Sequence, residues 1–200
     1  MSPKRLRDHS GNVDFIGSFP GVVPAQTLPE IAFVGRSNVG KSSALNALLG
    51  GRRAARVSST PGRTQLVNLF KVGSACVFVD LPGYGFADVP DEVTISWKPM
   101  IEAYLGERPN LRLVVSLIDG RLPPQEIDTI LIEGLRDFGT PLLVVATKID
   151  RLSKHEIKPA LRRFHDVHHL DPGQPIAFSA KSRVGVDSLW DHLEAACAVP

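Results

Sequence analysis

The octapeptide Gly35-Arg36-Ser37-Asn38-Val39-Gly40-Lys41-Ser42 constrains this 200-residue chain more than any other segment. Its G-x-x-x-x-G-K-[ST] pattern works only where a strand enters the loop and a helix leaves it. Both flanks comply: Ile31-Ala32-Phe33-Val34 reads as a buried strand, and Ser43-Ala44-Leu45-Asn46-Ala47-Leu48-Leu49 as a helix. The glycines then allow a tight turn in which several backbone N–H groups converge on a phosphate at the helix N-terminus. Lys41 would supply a point charge to the β- and γ-phosphates, and the Ser42 hydroxyl a ligand to Mg²⁺. A glycine-rich turn with no nucleotide is the plainer alternative, and the strand before and helix after argue against it.

Two later segments bear on which base is bound. Thr147-Lys148-Ile149-Asp150 closes the apolar run Leu142-Leu143-Val144-Val145-Ala146 and resembles the [NT]-K-x-D element that reads guanine in GTPases. A carboxylate at Asp150 can accept from both the ring N1–H and the 2-amino group of guanine. Adenine offers neither donor, and a buried polar group left unpaired is how a site rejects a near-isostere. The Lys148 stem can cover the flat face of the base. Pro175-Ile176-Ala177-Phe178 then leads into Ser179-Ala180-Lys181, which resembles the element whose backbone N–H meets the guanine carbonyl. Each element is weak alone; their order and spacing behind the phosphate loop point to guanine.

Between these landmarks lie candidate switch loops. Asp80-Leu81-Pro82-Gly83 ends the strand Cys76-Val77-Phe78-Val79 and resembles the D-x-x-G element, in which the Asp holds Mg²⁺ through water and the Gly N–H senses the γ-phosphate. Upstream, Thr60-Pro61-Gly62-Arg63-Thr64-Gln65 is a turn before the alternating run Leu66-Val67-Asn68-Leu69-Phe70. Thr64 is the candidate switch threonine, whose hydroxyl would complete the Mg²⁺ shell only with the γ-phosphate present. Gly62 and Arg63 would share that nucleotide-facing turn.

Together, Gly35 to Ser43, Thr60 to Gln65, Asp80-Leu-Pro-Gly-Tyr-Gly85 and Thr147 to Asp150 resemble the EngB (YihA/YsxC) family of bacterial ribosome-biogenesis GTPases, in the TrmE–Era–EngA–EngB branch. The similarity extends to Trp97, Tyr104-Leu105, Leu117-Ile118-Asp119-Gly120-Arg121 and Leu189-Trp190. The resemblance implies a single Ras-like P-loop G domain that binds GTP and GDP with Mg²⁺ and acts in assembly of the large (50S) ribosomal subunit. Its partners would be that subunit or its precursor, through rRNA and ribosomal protein. Gly120 stands where the family often has Ala, and the last base-reading element keeps its general form.

The layout fits this reading. Strand and helix alternate, which predicts an α/β fold: a six-stranded, mostly parallel mixed sheet with helices on both faces. Strands are expected near 30–35, 65–72, 75–80, 111–119, 142–147 and 175–179, and helices near 41–49, 92–105, 124–138, 153–168 and 185–197. The short Gly73-Ser74 turn favours an antiparallel hairpin between the second and third strands. Residues 1–29 read as an N-terminal arm or edge element and 30–200 as the G domain. A hydrophobic content of 43% in 200 residues suits one core. No apolar run approaches the ~18–20 residues needed to cross a bilayer. A cytoplasmic monomer without stable membrane association is expected. Cys76 and Cys197 are too few for a disulfide framework.

Hydrolysis would rest on Lys41, Thr64, Gly83 and Asn38. Ras-type GTPases place a water-orienting glutamine after the D-x-x-G glycine. Tyr84 stands there, so slow intrinsic turnover is expected. In related GTPases of the branch an asparagine at the position of Asn38 helps hold K⁺ beside the phosphates, which makes K⁺ a candidate second cation. An Asn38 that merely shapes the loop is the alternative. Metal ligands would be Ser42, Thr64 and Asp80.

Net charge is only +2, a weak nucleic-acid signal, yet the cations cluster. Arg52, Arg53, Arg56 and Arg63 bracket the first switch, while Lys154, Lys158, Arg162 and Arg163 lie on a helical segment where the first three share an i, i+4, i+8 face that Pro159 could kink or divide. Solvated surface explains either cluster without a partner; rRNA phosphate is the reading that the resemblance favours. His165, His168 and His169 read as a solvated polar face, and Trp97, Tyr104 and Trp190 as core or interface anchors. Two other functions stay open: a guanine-nucleotide sensor with negligible hydrolysis, and a cell-division (septation) or envelope factor.

Overall fold

The computed structural model describes residues 5–20, 22–50, 66–83, 103–106 and 108–198. Among these, seven strands form one sheet: β1 (Val13–Phe19), β2 (Glu30–Gly35), β3 (Val67–Val72), β4 (Cys76–Asp80), β5 (Leu111–Asp119), β6 (Leu142–Thr147) and β7 (Ile176–Ala177). Their order across the sheet is β1-β3-β4-β2-β5-β6-β7. From β4 to β7 all neighbours run parallel, whereas β3 pairs antiparallel with both β4 and β1. The helices are α1 (Lys41–Leu48), α2 (Glu126–Arg136), α3 (Lys154–Val167) and α4 (Val186–Ala198), with short 3-10 turns at Leu6–His9 and Ile149–Arg151.

Every residue of β2 is buried, because helices cover both faces of the sheet centre. Strand alternation splits its side chains. Ile31 and Phe33 pack with Leu45 and Leu48 of α1 and with Leu189, Trp190 and Leu193 of α4. Ala32 and Val34 face the other way, with Leu131 and Leu135 of α2 and with Tyr104 and Leu105. Trp190 is a core anchor, as expected, its ring 5.9 Å from that of Phe78. Tyr104 is buried too; its hydroxyl donates to Glu30, whose side chain is 1% exposed and lies 3.6 Å from Arg108.

The sheet has seven strands where six were expected. The extra one, β1, comes from the N-terminal segment and is an edge strand without a fully buried residue; Phe15 stays 57% exposed. Its membership depends on backbone pairing with β3, so hydropathy gave it no signal. The hairpin between β3 and β4 is present and turns at Gly73, φ 54°. A Cβ there would lie 2.3 Å from the His9 ring, so the turn needs glycine. The last strand is shorter than expected, two residues against five.

Two further expectations change. The α3 helix runs unbroken through Pro159, held by the buried Ala160 and Phe164 and by a Glu156 carboxylate that accepts from the Ser153 N–H (2.8 Å). Lys154, Lys158 and Arg162 therefore do share one exposed face. His168 is 1% exposed, not solvated: its Nδ1 is 3.0 Å from the Thr129 hydroxyl and its ring stacks on Phe164. Of the helix expected over 92–105, only its end at 103–106 is described.

Candidate nucleotide-binding site

Because β2, β4, β5, β6 and β7 are parallel, their carboxyl ends emerge on one side of the sheet, where ligands bind in such folds. Gly35, Asp80, Asp119, Thr147 and the segment beyond Ala177 all lie there.

The phosphate loop leaves β2 at Gly35, which touches the neighbouring strand: a Cβ would sit 2.8 Å from the Leu117 carbonyl and 2.9 Å from Val39 Cγ1. The Val39 N–H closes a turn onto the Arg36 carbonyl (3.1 Å), and the buried Val39 side chain pins the loop. Asn38 and Gly40 take positive φ, 63° and 107°. Gly40 occupies the N-cap of α1 and, having no side chain, caps nothing. The first-turn amides of Lys41, Ser42 and Ser43 thus keep donors free of a side-chain cap, and the helix dipole favours an anion there. The loop fits a phosphate chemically as well as by pattern.

Asp80 ends β4 beside this helix. Its carboxylate forms an ion pair with Lys41, both side chains being mostly buried, and accepts from Asn68 Nδ2 (3.2 Å). Leu81 is buried and donates its N–H to Phe33 (3.0 Å), and Pro82 is buried after it. Gly83 comes back against Ser37; a Cβ would stand 3.1 Å from the serine hydroxyl. The Ser42 hydroxyl and the Asp80 carboxylate are hard oxygen donors of the kind Mg²⁺ takes, so the residues present fit that ion. Gly62, Arg63, Thr64, Gln65, Tyr84, Trp97 and the Arg52, Arg53 and Arg56 cluster lie outside the described residues.

The base-reading segments meet at the end of β6. The Thr147 hydroxyl lies between two carbonyls, 2.6 Å from Val39 and 3.0 Å from Ile118. Lys148 is left-handed, φ 57°, and its ammonium donates to the Asn38 carbonyl and to Asp119 Oδ2 (2.9 Å). Asp150 accepts from the Ser179 hydroxyl (2.6 Å), which itself accepts from the Ser182 N–H (3.1 Å). Ser179 is fully buried, while Ala180 is half-buried and Lys181 exposed at the turn. Ile149 N–H to Phe178 carbonyl (3.3 Å) and Phe178 N–H to Ala146 carbonyl (2.8 Å) tie the two segments. The phosphate loop and the base-reading loop are therefore in direct contact through Thr147 and Lys148.

Asp119 and Arg121 were not assigned a role from the sequence, although both touch this network. Burial pushes the pKa of Asp119 up, but bonds from Arg121 and Lys148 outweigh this and bring it down to about 2. The available signals were the family resemblance of this segment and a charged residue closing the apolar run of β5.

A mostly parallel sheet that carries a phosphate loop, a D-x-x-G segment and a T-K-x-D segment at its carboxyl edge defines a P-loop GTPase domain. A family model described as a 50S ribosome-binding GTPase matches residues 30–148. Among curated relatives, the probable GTP-binding protein EngB of Geobacter sulfurreducens is 47% identical over 182 residues, spanning 91% of this chain and 88% of that protein. The protein of the same description from Syntrophus aciditrophicus is 47% identical over 186 residues, 92% and 94% of the two chains. The chain belongs to the EngB family of GTP-binding proteins, as the motifs had implied. In fold it resembles the crystal structure of a probable EngB, with TM-score 0.72 at 24% identity over 84% of this chain and 98% of that one. It also resembles Era bound to MgGDPNP and a 16S ribosomal RNA segment, with TM-score 0.64 at 23% identity over 84% and 56%.

Proposed function

We propose that the protein is a slow GTPase switch in assembly of the large ribosomal subunit, docking on that particle in one nucleotide state and leaving in the other. The observation that carries the nucleotide part is the contact of Lys148 with the Asn38 carbonyl, which joins the uncapped α1 terminus to the Asp150–Ser179 pair in one site. Gly35 to Ser43 would cradle the phosphates, with Lys41 turning from Asp80 toward the β- and γ-phosphates. Ser42 and Asp80, joined by Thr64, would hold Mg²⁺, which when bound draws charge from the phosphate oxygens. Gly83 and Thr64 would sense the γ-phosphate, and Asp150, steadied by Ser179, would read the guanine edge. Asn38, exposed at the loop tip, is the residue through which K⁺ would speed hydrolysis. Equal turnover in KCl and NaCl at matched ionic strength would remove that role.

The description of the matching family model supports the ribosomal partner, as does charge. Lys154, Lys158 and Arg162 line one exposed face of α3, and Arg121, Arg162 and Arg163, together with Glu156 and Asp166, line a cleft of about 650 Å³ beside it. Such cations suit rRNA phosphates and make binding salt-dependent. The test is co-sedimentation with large subunits, using a non-hydrolysable GTP analogue or GDP at two salt concentrations. Association favoured by the analogue and weakened by salt is expected; its absence in both states would sink the ribosomal role. Tyr84 favours one other reading, a sensor that binds without turnover. Multiple-turnover phosphate release in the presence of ribosomal particles excludes it.

A further inference from the structure

The segment Leu117-Ile118-Asp119-Gly120-Arg121 has been given no role in nucleotide binding, yet it delivers the most heavily bonded carboxylate near the base-reading loop. Asp119 ends β5, between β2 and β6, with a side chain 10% exposed. Arg121 grips it with Nε 2.9 Å from Oδ1 and Nη2 2.7 Å from Oδ2, and the Arg121 N–H adds a bond to Oδ1 (3.1 Å). The Lys148 ammonium approaches the same carboxylate at 2.9 Å from Oδ2 while donating to the Asn38 carbonyl of the phosphate loop. A lysine stem has several rotatable bonds and is ordinarily spread over many rotamers in solution. Here both acceptors are held, one by Arg121 and one by a loop that the buried Val39 and its bond to the Arg36 carbonyl pin down. Gly120 lies close against the base-reading loop: its N–H bonds the Thr147 carbonyl (3.0 Å), and a Cβ would stand 2.8 Å from that oxygen.

We propose that Asp119 is a positioning residue for nucleotide recognition: clamped by Arg121, it holds the Lys148 ammonium against the phosphate loop and so presets the lysine stem before the base arrives. The proposal rests on the guanine-nucleotide reading of the site. Asp119 needs no contact with the nucleotide, because its effect passes through Lys148. Binding to a preset side chain avoids the ordering cost that a mobile lysine would incur. Removal of the carboxylate should therefore speed nucleotide loss without altering which base is chosen, since base choice belongs to Asp150.

The test is a double-mutant cycle on the full chain, following release of a fluorescent GDP analogue from wild type, Asp119→Ala, Lys148→Ala and the double variant. Each single change should raise the dissociation rate ~10–100-fold, the range for losing a charge-assisted hydrogen bond, and the double variant should release no faster than Lys148→Ala. The preference for GDP over IDP, which lacks the 2-amino group, should stay as in wild type for Asp119→Ala. A wild-type release rate in Asp119→Ala, or a full further acceleration on the Lys148→Ala background, would overturn the proposal. Should Asp119→Ala fail to fold, Arg121→Ala replaces it: a smaller acceleration, absent on the Lys148→Ala background, is expected, and an undiminished one there counts against the role. A wild-type protein that binds no GDP would instead remove the underlying nucleotide reading.

Discussion

We propose that the Asp150 carboxylate sets base choice. Its Oδ1 is occupied by the Ser179 hydroxyl, so the group is oriented before any base is bound. Asp150→Asn replaces one acceptor oxygen with an amide donor and confronts the two guanine donors with it. We expect GDP affinity to fall at least ~10²-fold and the GDP-over-IDP preference to collapse. Competition binding with the two nucleotides checks this, and a retained preference would contradict the role. Glu30, at the opposite end of β2, makes a different prediction. Burial pushes its carboxyl above the ordinary value of 4.5, despite the opposing hydrogen bond from Tyr104 and the charge of Arg108. The folded state then holds the proton more tightly than the unfolded state, so stability falls as pH rises above that value. Glu30→Gln cannot ionise and lacks this slope. Urea unfolding at pH 5 and pH 7.5 should show the variant gaining on wild type at the higher pH; a constant difference would show that Glu30 does not titrate in this way.

At the scale of elements, α3 keeps a proline in its second turn. Pro159 has no N–H for the His155 carbonyl, and an interior proline is worth up to ~3 kcal/mol less than alanine in a helix. Some of this is offset by the stiffer unfolded chain. Pro159→Ala should stabilise the protein by about 1–2 kcal/mol, seen as a rise in melting temperature; no rise would mean that the helix already absorbs the missing bond. The elements themselves were legible to different degrees. The phosphate loop and the strands β2, β4, β5 and β6 could be read because covered parallel strands are continuous apolar runs between turn residues. β1 could not, because Asp14, Gly17 and Ser18 interrupt it and its bonds are made by backbone. His168 was misread for a related reason: sequence spacing sets it beside His165 and His169, but burial against Phe164 is decided by the sheet beneath.

For the whole molecule, the N-terminal segment is built into the structure at three places. Leu6 is buried in the main core, Arg7 bonds Glu194 (Nε to Oε1 3.1 Å) and Asp191 on α4, and β1 completes the sheet edge. We propose that the G domain includes these residues and does not begin at residue 30. Deletion of residues 1–20 should lower the melting temperature by about 5–15 °C, at ~2–4 °C per kcal/mol for a chain of this size. An unchanged melting temperature would return the boundary to residue 30.

The sequence by itself determined the chemistry that is local. The phosphate loop, the D-x-x-G segment and the T-K-x-D segment each work through residues a few positions apart, so covalent spacing fixes what they can do. Tertiary structure alone decided how they meet. Thr147 reaches the Val39 carbonyl across 108 positions of chain and Lys148 the Asn38 carbonyl across 110. Those contacts exist because β5 lies between β2 and β6, bringing Asp119 to both loops. Strand order follows from how the helical crossovers pack back onto the sheet, a property of the folded chain that no short motif contains.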